Sequence, residues 1–153
     1  MKDEYLTGQS VDGKEICLQA LARSKLPDVV GNFLEFNFSD TITTQDVHSG
    51  AKSLALNPKA RGPQWEWIKE NWSEVYERLS VNLTLLNRFL RLSLNQFSDH
   101  KVEQDIAAFF KEKDNRGYDQ ALMVISDTVR GNANYKQRDE ALVLEWLKAH
   151  DYA

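Results

Sequence analysis

Three histidines, one cysteine and 23 carboxylates are the groups of this 153-residue chain that could support catalysis or hold a metal. A hydrolytic zinc site on one helix needs two histidines a turn apart with a glutamate base between them, His-Glu-x-x-His, and a further acidic ligand. His48, His100 and His150 lie about 50 residues apart, and serine, lysine and aspartate follow them, so the motif is absent. Each histidine reads as a polar or packing residue. Cys17 stands alone, which leaves no internal disulfide and no sulfur-rich metal site, and it reads as a packing residue in a reducing compartment. No Ser/His/Asp signature and no phosphate-binding glycine loop is present. The chain by itself is expected to be catalytically inactive and to hold no cofactor.

Binding chemistry is better represented. From Leu83 to Phe97 the chain is apolar nearly all round, and its remaining polar strip is Thr84, Arg88, Arg91 and Asn95, at spacings of four and three. Two guanidinium groups on one strip of an acidic chain create a local positive field and can pair with a carboxylate. An intramolecular salt bridge or a solvated strip is the alternative. Arg61, between Pro58 and Pro63, can cap the carbonyls of the preceding helix or bridge to a neighbouring domain.

The formal charge of -4 and the isoelectric point near 5.4 argue against nucleic acid or an anionic membrane as the main partner, since both require a basic surface. No apolar run approaches the roughly 20 residues that span a bilayer, and the Met1-Lys-Asp-Glu-Tyr5 start lacks a signal peptide's apolar segment. The expected location is the cytoplasm. Asn37-Phe-Ser39, Asn71-Trp-Ser73 and Asn82-Leu-Thr84 match the glycosylation pattern but read as chance matches inside helices.

The elements that must position these residues read as helices throughout. Ile16, Cys17, Ala20 and Leu21 make a short apolar face over 13–22, and Val29, Val30, Phe33, Leu34 and Phe36 make a second one, ending by Ser39-Asp40. Thr43 to Asp46 reads as a capping-box variant before a helix through Val47, Ala51 and Leu54. Pro63 suits the first turn of a fourth helix, whose Trp65, Ile68, Trp72, Val75 and Leu79 form one buried stripe with Trp67 off it. The Leu83–Phe97 helix should be central. Asp99 can cap a sixth, with Val102, Ile106, Phe109 and Phe110 inward. Tyr118, Leu122, Ile125 and Val129 mark a seventh that Gly131-Asn132 should end, and Leu142, Trp146 and Ala149 mark an eighth. The class is therefore all-α, one domain over 1–153, with about eight helices in antiparallel pairs. Trp65, Trp72 and Trp146 are expected in the core.

Asn57-Pro-x-x-Arg61 followed by Trp65-x-Trp67-x-Lys69-x-Asn71-Trp72 resembles the C-terminal helical domain of the zinc aminopeptidases, the puromycin-sensitive, endoplasmic-reticulum and fungal alanine/arginine group. Thr44-Gln-Asp-Val47, Arg88-Phe-Leu-Arg91, Ala107-Ala-Phe-Phe110, Arg138-Asp-Glu140 and Trp146-Leu147 extend the likeness over nearly the whole chain. Val11-Asp-Gly-Lys-Glu-Ile-Cys-Leu18 and Gln45-Asp-Val-His-Ser-Gly50 are similar to fungal cytosolic members. The resemblance implies a HEAT- or armadillo-like solenoid, the last half of a larger C-terminal domain. It implies zinc in the parent enzyme and the catalytic domains of that enzyme as partners. The family's Gly-Ala-Met-Glu-Asn substrate loop is absent, as is its zinc motif. In such enzymes the helical domain closes over the active site as a bowl that receives peptides, which makes Arg88 and Arg91 the candidates for lining it. An exposed solenoid end would also allow a homo-oligomer, and the alternative reading is a stand-alone α-solenoid scaffold for a protein partner.

Overall fold

Local chemistry marks most of the helix boundaries. In the computed structural model, which describes residues 2–152, the described residues form nine α-helices and no strand: α1 (Lys2–Thr7), α2 (Val11–Ala22), α3 (Pro27–Asn37), α4 (Val47–Leu56), α5 (Arg61–Glu70), α6 (Trp72–Leu79), α7 (Leu83–Leu94), α8 (His100–Lys111) and α9 (Asp119–Ala149). Ser10, Asn82 and Asp99 each accept a backbone N–H of the following turn, satisfying one of the donors that a helix start leaves free. Pro27 opens α3, where its missing N–H costs nothing. At the far end Asp151 turns left-handed at φ 59°, and the Tyr152 N–H returns to the Leu147 carbonyl at 2.9 Å, closing α9 with a Schellman turn.

Four boundaries differ from the sequence expectation. A short α1 precedes the first expected helix, anchored by Tyr5, which is buried edge-on against Phe36. Thr43 accepts the Asp46 N–H, but Asp46 turns its carboxylate to the Tyr5 hydroxyl instead of back to the cap, and α4 starts only at Val47. The tryptophan-rich helix begins at Arg61 and breaks at Asn71, whose side-chain amide donates to the Trp67 carbonyl while its own backbone leaves the helical region at φ −107°, ψ 22°. The expected seventh and eighth helices are one. Gly131 does not end the segment, because a single glycine costs only about 1 kcal/mol, Ala133 is buried against the fold just beyond it, and good helix formers resume at Lys136-Gln-Arg138. The side chain of Asn132 is spent on a neighbour, donating to the carbonyls of Asn95 and Phe97, each at 3.0 Å.

The helices pack in two rows. One row runs α2, α4, α7, α9, each packed on the next, with α1 beside α2; α3, α5 and α8 return on the other side, and α6 packs on α5 and α7. Side-chain caps tie the row together at its ends. Asn57, just after α4, donates to the carbonyls of Ala22 and Ser24 at the end of α2, and Asn132 does the same for the end of α7. Asn87 reaches the Gly117 carbonyl at the opposite end, so α2, α4, α7 and α9 all run the same way. This order is consistent with stacked helical hairpins.

Leu86, Phe89, Leu90 and Leu94 are fully buried, so α7 is the central helix. Trp65 and Trp72 meet Phe109 and Phe110 at ring separations of 5.0–6.0 Å, an aromatic cluster joining α5, α6 and α8. Trp67, half-buried, stacks on Phe38 at 4.6 Å. Arg78 of α6 donates to the carbonyls of Phe38, Ser39 and Ile42, capping the end of α3 from a distance. Gly50 is required where it stands, since a Cβ there would collide with the buried Asn37 amide. Trp146 corrects the sequence reading: it is 54% exposed, because α7 ends at Leu94 and no other described helix lies beneath the last four turns of α9.

Candidate functional site

Thr84, Arg88 and Arg91 of the polar strip face solvent, since the rest of α7 packs on α4, α5, α6 and α9, while Asn95 at the strip's end is partly buried. Arg88 and Arg91 are both exposed, and neither has an ion pair or a side-chain hydrogen bond among the described residues. The salt-bridge half of the alternative therefore drops out, and a solvated strip with two unpaired guanidinium groups one turn apart remains.

They lean to opposite sides. Arg88 lies toward α4, close enough to His48 for its charge to be felt there. Arg91 lies over the seam with α9, where it lines a groove of about 400 Å³ with Asn87, Asp119, Gln120, Ala121 and Val124. A second groove of about 500 Å³ opens between α2 and α4, lined by Glu15, Gln19, Arg23, Ser49, Lys52 and Leu56. Glu15 accepts from Gln19 and Ser49, and the exposed α2–α4–α7 surface presents Arg23, Lys52, Arg88 and Arg91 beside the carboxylates of Glu15 and Asp119. Chemically it can hold a carboxylate or an acidic segment by bidentate hydrogen bonds; it has no group to activate a nucleophile.

His48 was read as a packing residue, and the structure adds its electrostatics. It is 5% exposed, with Nδ1 unpartnered, and burial first, then the Arg88 guanidinium, push its imidazole below the ordinary value, with the Asp46 carboxylate opposing. His100 lies 3.7 Å from Glu103, and His150 stacks on Trp146 at 4.2 Å. The three never meet, and no group of His, Cys, Asp or Glu among the described residues is arranged to hold a metal ion. These residues do not fit a zinc site.

The remaining marked residues are structural in their contacts. Trp65 Nε1 donates to Asp105 at 2.7 Å, and Trp72 sits in the aromatic cluster. Arg61 Nε donates to the Ala55 carbonyl at 2.8 Å, and its guanidinium lies 6.0 Å from the Phe97 ring. Trp146 is the exception, outside the core and stacked only on His150 and Tyr152 of its own chain end. Asn37 is buried and Asn71 is engaged with Trp67, while Asn82 is exposed with its side chain capping α7. Sequence reasoning missed Asn57, Asn132, Arg78 and the buried Gln64, which donates to Ala51 and Ser93. Of these only Asn57, placed before a proline after an apolar helix, carried a readable turn signal.

No helix is long and apolar enough to cross a membrane. A family model for the ERAP1-like C-terminal domain matches residues 1–131. The chain is similar to the alanine/arginine aminopeptidase of Saccharomyces cerevisiae, 29% identical over 148 residues covering 97% of this chain and 17% of the relative. It is 30% identical over 148 residues to aminopeptidase 2, mitochondrial, of the same yeast, 97% of this chain and 16% of that protein. Endoplasmic reticulum aminopeptidase 2 of Bos taurus is 22% identical over 147 residues, 95% of this chain and 15% of the relative. The chain thus spans less than a fifth of each of these relatives.

Proposed function

Since the chain belongs to the ERAP1-like C-terminal domain family, we propose that it is a non-catalytic helical part of a zinc aminopeptidase that encloses the active site and helps bind and select peptides. The zinc and the reacting groups then lie in the catalytic domains of that enzyme, which are this domain's partners. Arg88 and Arg91 take the part of the peptide distant from the scissile bond, pairing with its terminal carboxylate or with acidic side chains. The observation that carries this reading is that both guanidinium groups are exposed and unpaired on the most central helix of an acidic domain. Paired arginines would have argued for a structural role. The lone, buried Cys17 fits a reducing compartment and so supports a cytoplasmic enzyme.

The test is kinetic. In the intact enzyme, Arg88→Ala and Arg91→Ala should raise KM for peptides and leave single-residue reporter substrates nearly unchanged, because a reporter cannot reach α7. Equal loss on both substrates would overturn the reading.

A further inference from the structure

Ala121, Ile125, Val129 and Ala133 form the stripe by which α9 is buried against the rest of the fold. Continued at the same three- and four-residue spacing, that stripe becomes Lys136, Glu140, Val143, Leu144 and Leu147, beyond the point where α7 has ended. The overhang, residues 134–149, is about 24 Å long at the helical rise. Tyr135, Leu142, Val143, Leu144 and Trp146 on it are 45–63% exposed. Between it and the end of α7 lies a groove of about 600 Å³, lined by Gln96, Ser98, Tyr135, Val143, Leu144 and Leu147. A core-facing stripe that runs into open solvent has the form of half an interface.

The adjoining edge has a sign. Asn57 ties the 57–60 loop to the end of α2, Arg61 lies against Phe97, and Asn132 ties α9 to the 95–97 loop, so these loops follow one another along one edge of the fold, with Gln96 and Ser98 at its groove end. Residues 23–26 and 57–60 carry Arg23, Lys25 and Lys59 and no carboxylate, and all three cations are exposed. The nearby anions are occupied: Asp99 caps α8, Asp139 is paired with Arg138, and Glu140 stands 4.0 Å from Lys136.

We propose that the α9 overhang and this basic rim seat an apolar, acid-rimmed helical surface of the longer polypeptide, fixing the domain to its neighbour. The inference rests on the reading of the chain as part of a larger aminopeptidase. Its aminopeptidase relatives are long enough that this chain covers only 16–17% of the two from yeast, so most of such a protein lies outside the structure. The breadth of the apolar face suits a permanent joint, since transient interfaces are more polar. A second copy fits less well. A two-fold interface would bring the same basic rim of each copy against its symmetry mate, which like charges resist.

Hydrogen exchange on the full-length enzyme tests this. The amides of 135–148 should exchange within about tenfold of those of 121–133, whereas an undocked helix in water should exchange a hundredfold faster or more, by about 3 kcal/mol of missing protection. Reversing the rim with Arg23→Glu, Lys25→Glu and Lys59→Glu together should speed exchange of 135–148 at least about tenfold and leave 121–133 unchanged. A second variant, Leu144→Asp, should do the same through the apolar wall. Fast exchange of 135–148 in the wild type overturns the proposal, and so does protection that rises with concentration as the sedimenting mass doubles, the signature of a second copy. Peptide hydrolysis accompanied by fast exchange would sink the joint alone; protection in a protein without aminopeptidase activity would sink the functional reading alone.

Discussion

The indole N–H of Trp65 donates to the Asp105 carboxylate at 2.7 Å, and the Lys69 ammonium reaches the same oxygen at 2.9 Å. One carboxylate of α8 thus ties down two residues a turn apart on α5. Because Trp65 is also 3% exposed between Phe109 and Phe110, its loss removes packing and a buried donor together. Trp65→Ala and Trp72→Ala should each cost about 3–5 kcal/mol. A domain of this size has roughly 5–15 kcal/mol in total, so either variant should be largely unfolded near body temperature. Trp67→Ala, half-buried on Phe38, should cost less than half as much, and Trp146→Ala should be close to neutral in the isolated chain. Urea denaturation of the four variants checks the order; Trp67→Ala as the worst would contradict it.

That series also shows what could be read from the sequence. The stripe of Trp65, Ile68, Trp72, Val75 and Leu79 predicted burial for all five, and all five are buried, although Asn71 divides them between two helices. A periodic pattern survives a short break because each half keeps its own apolar face inward. Trp146 misled because periodicity reports an apolar face and not whether anything covers it. The caps were invisible for a different reason: Asn132 and Arg78 act on carbonyls more than 30 residues away. Arg88 and Arg91 were legible as a strip, but only the fold could separate an ion pair from free guanidinium groups.

Asn57→Ala and Asn132→Ala each delete an amide that serves two carbonyls at the end of a neighbouring helix. Each should cost about 1–3 kcal/mol, the penalty for leaving buried acceptors unpaired. Asn134→Ala, exposed on the overhang, is the control and should move the denaturation midpoint little.

His48 gives the fold a pH dependence. Its folded value lies below the ordinary one through burial, then the Arg88 charge, so the unfolded chain binds the proton more readily. The stability it contributes is complete above about pH 6.5 and declines as the pH falls from there toward the folded value, by no more than about 1.4 kcal/mol per pH unit. Denaturation midpoints should fall between neutral and mildly acid pH, and His48→Gln should flatten that slope. Arg88→Ala should move the His48 titration upward in an NMR series; an unmoved titration would show that the two groups are not coupled.

The 153-residue chain should release no amino acid from aminoacyl reporters, with or without added zinc, because no group of His, Cys, Asp or Glu among its described residues is arranged to hold a metal ion. Turnover that tracks the protein through successive columns would refute this.

The central claim is that α7 presents Arg88 and Arg91 to the distant end of a peptide, and the most direct measurement is a pair of KM values on the intact enzyme. The Arg88→Ala, Arg91→Ala double variant should raise KM for a peptide of about ten residues tenfold or more, the loss of one or two charged hydrogen bonds worth about 1.5–3 kcal/mol. KM and kcat for a single-residue reporter should stay within about twofold. Unchanged KM for the peptide, or an equal loss on both substrates, would contradict the account.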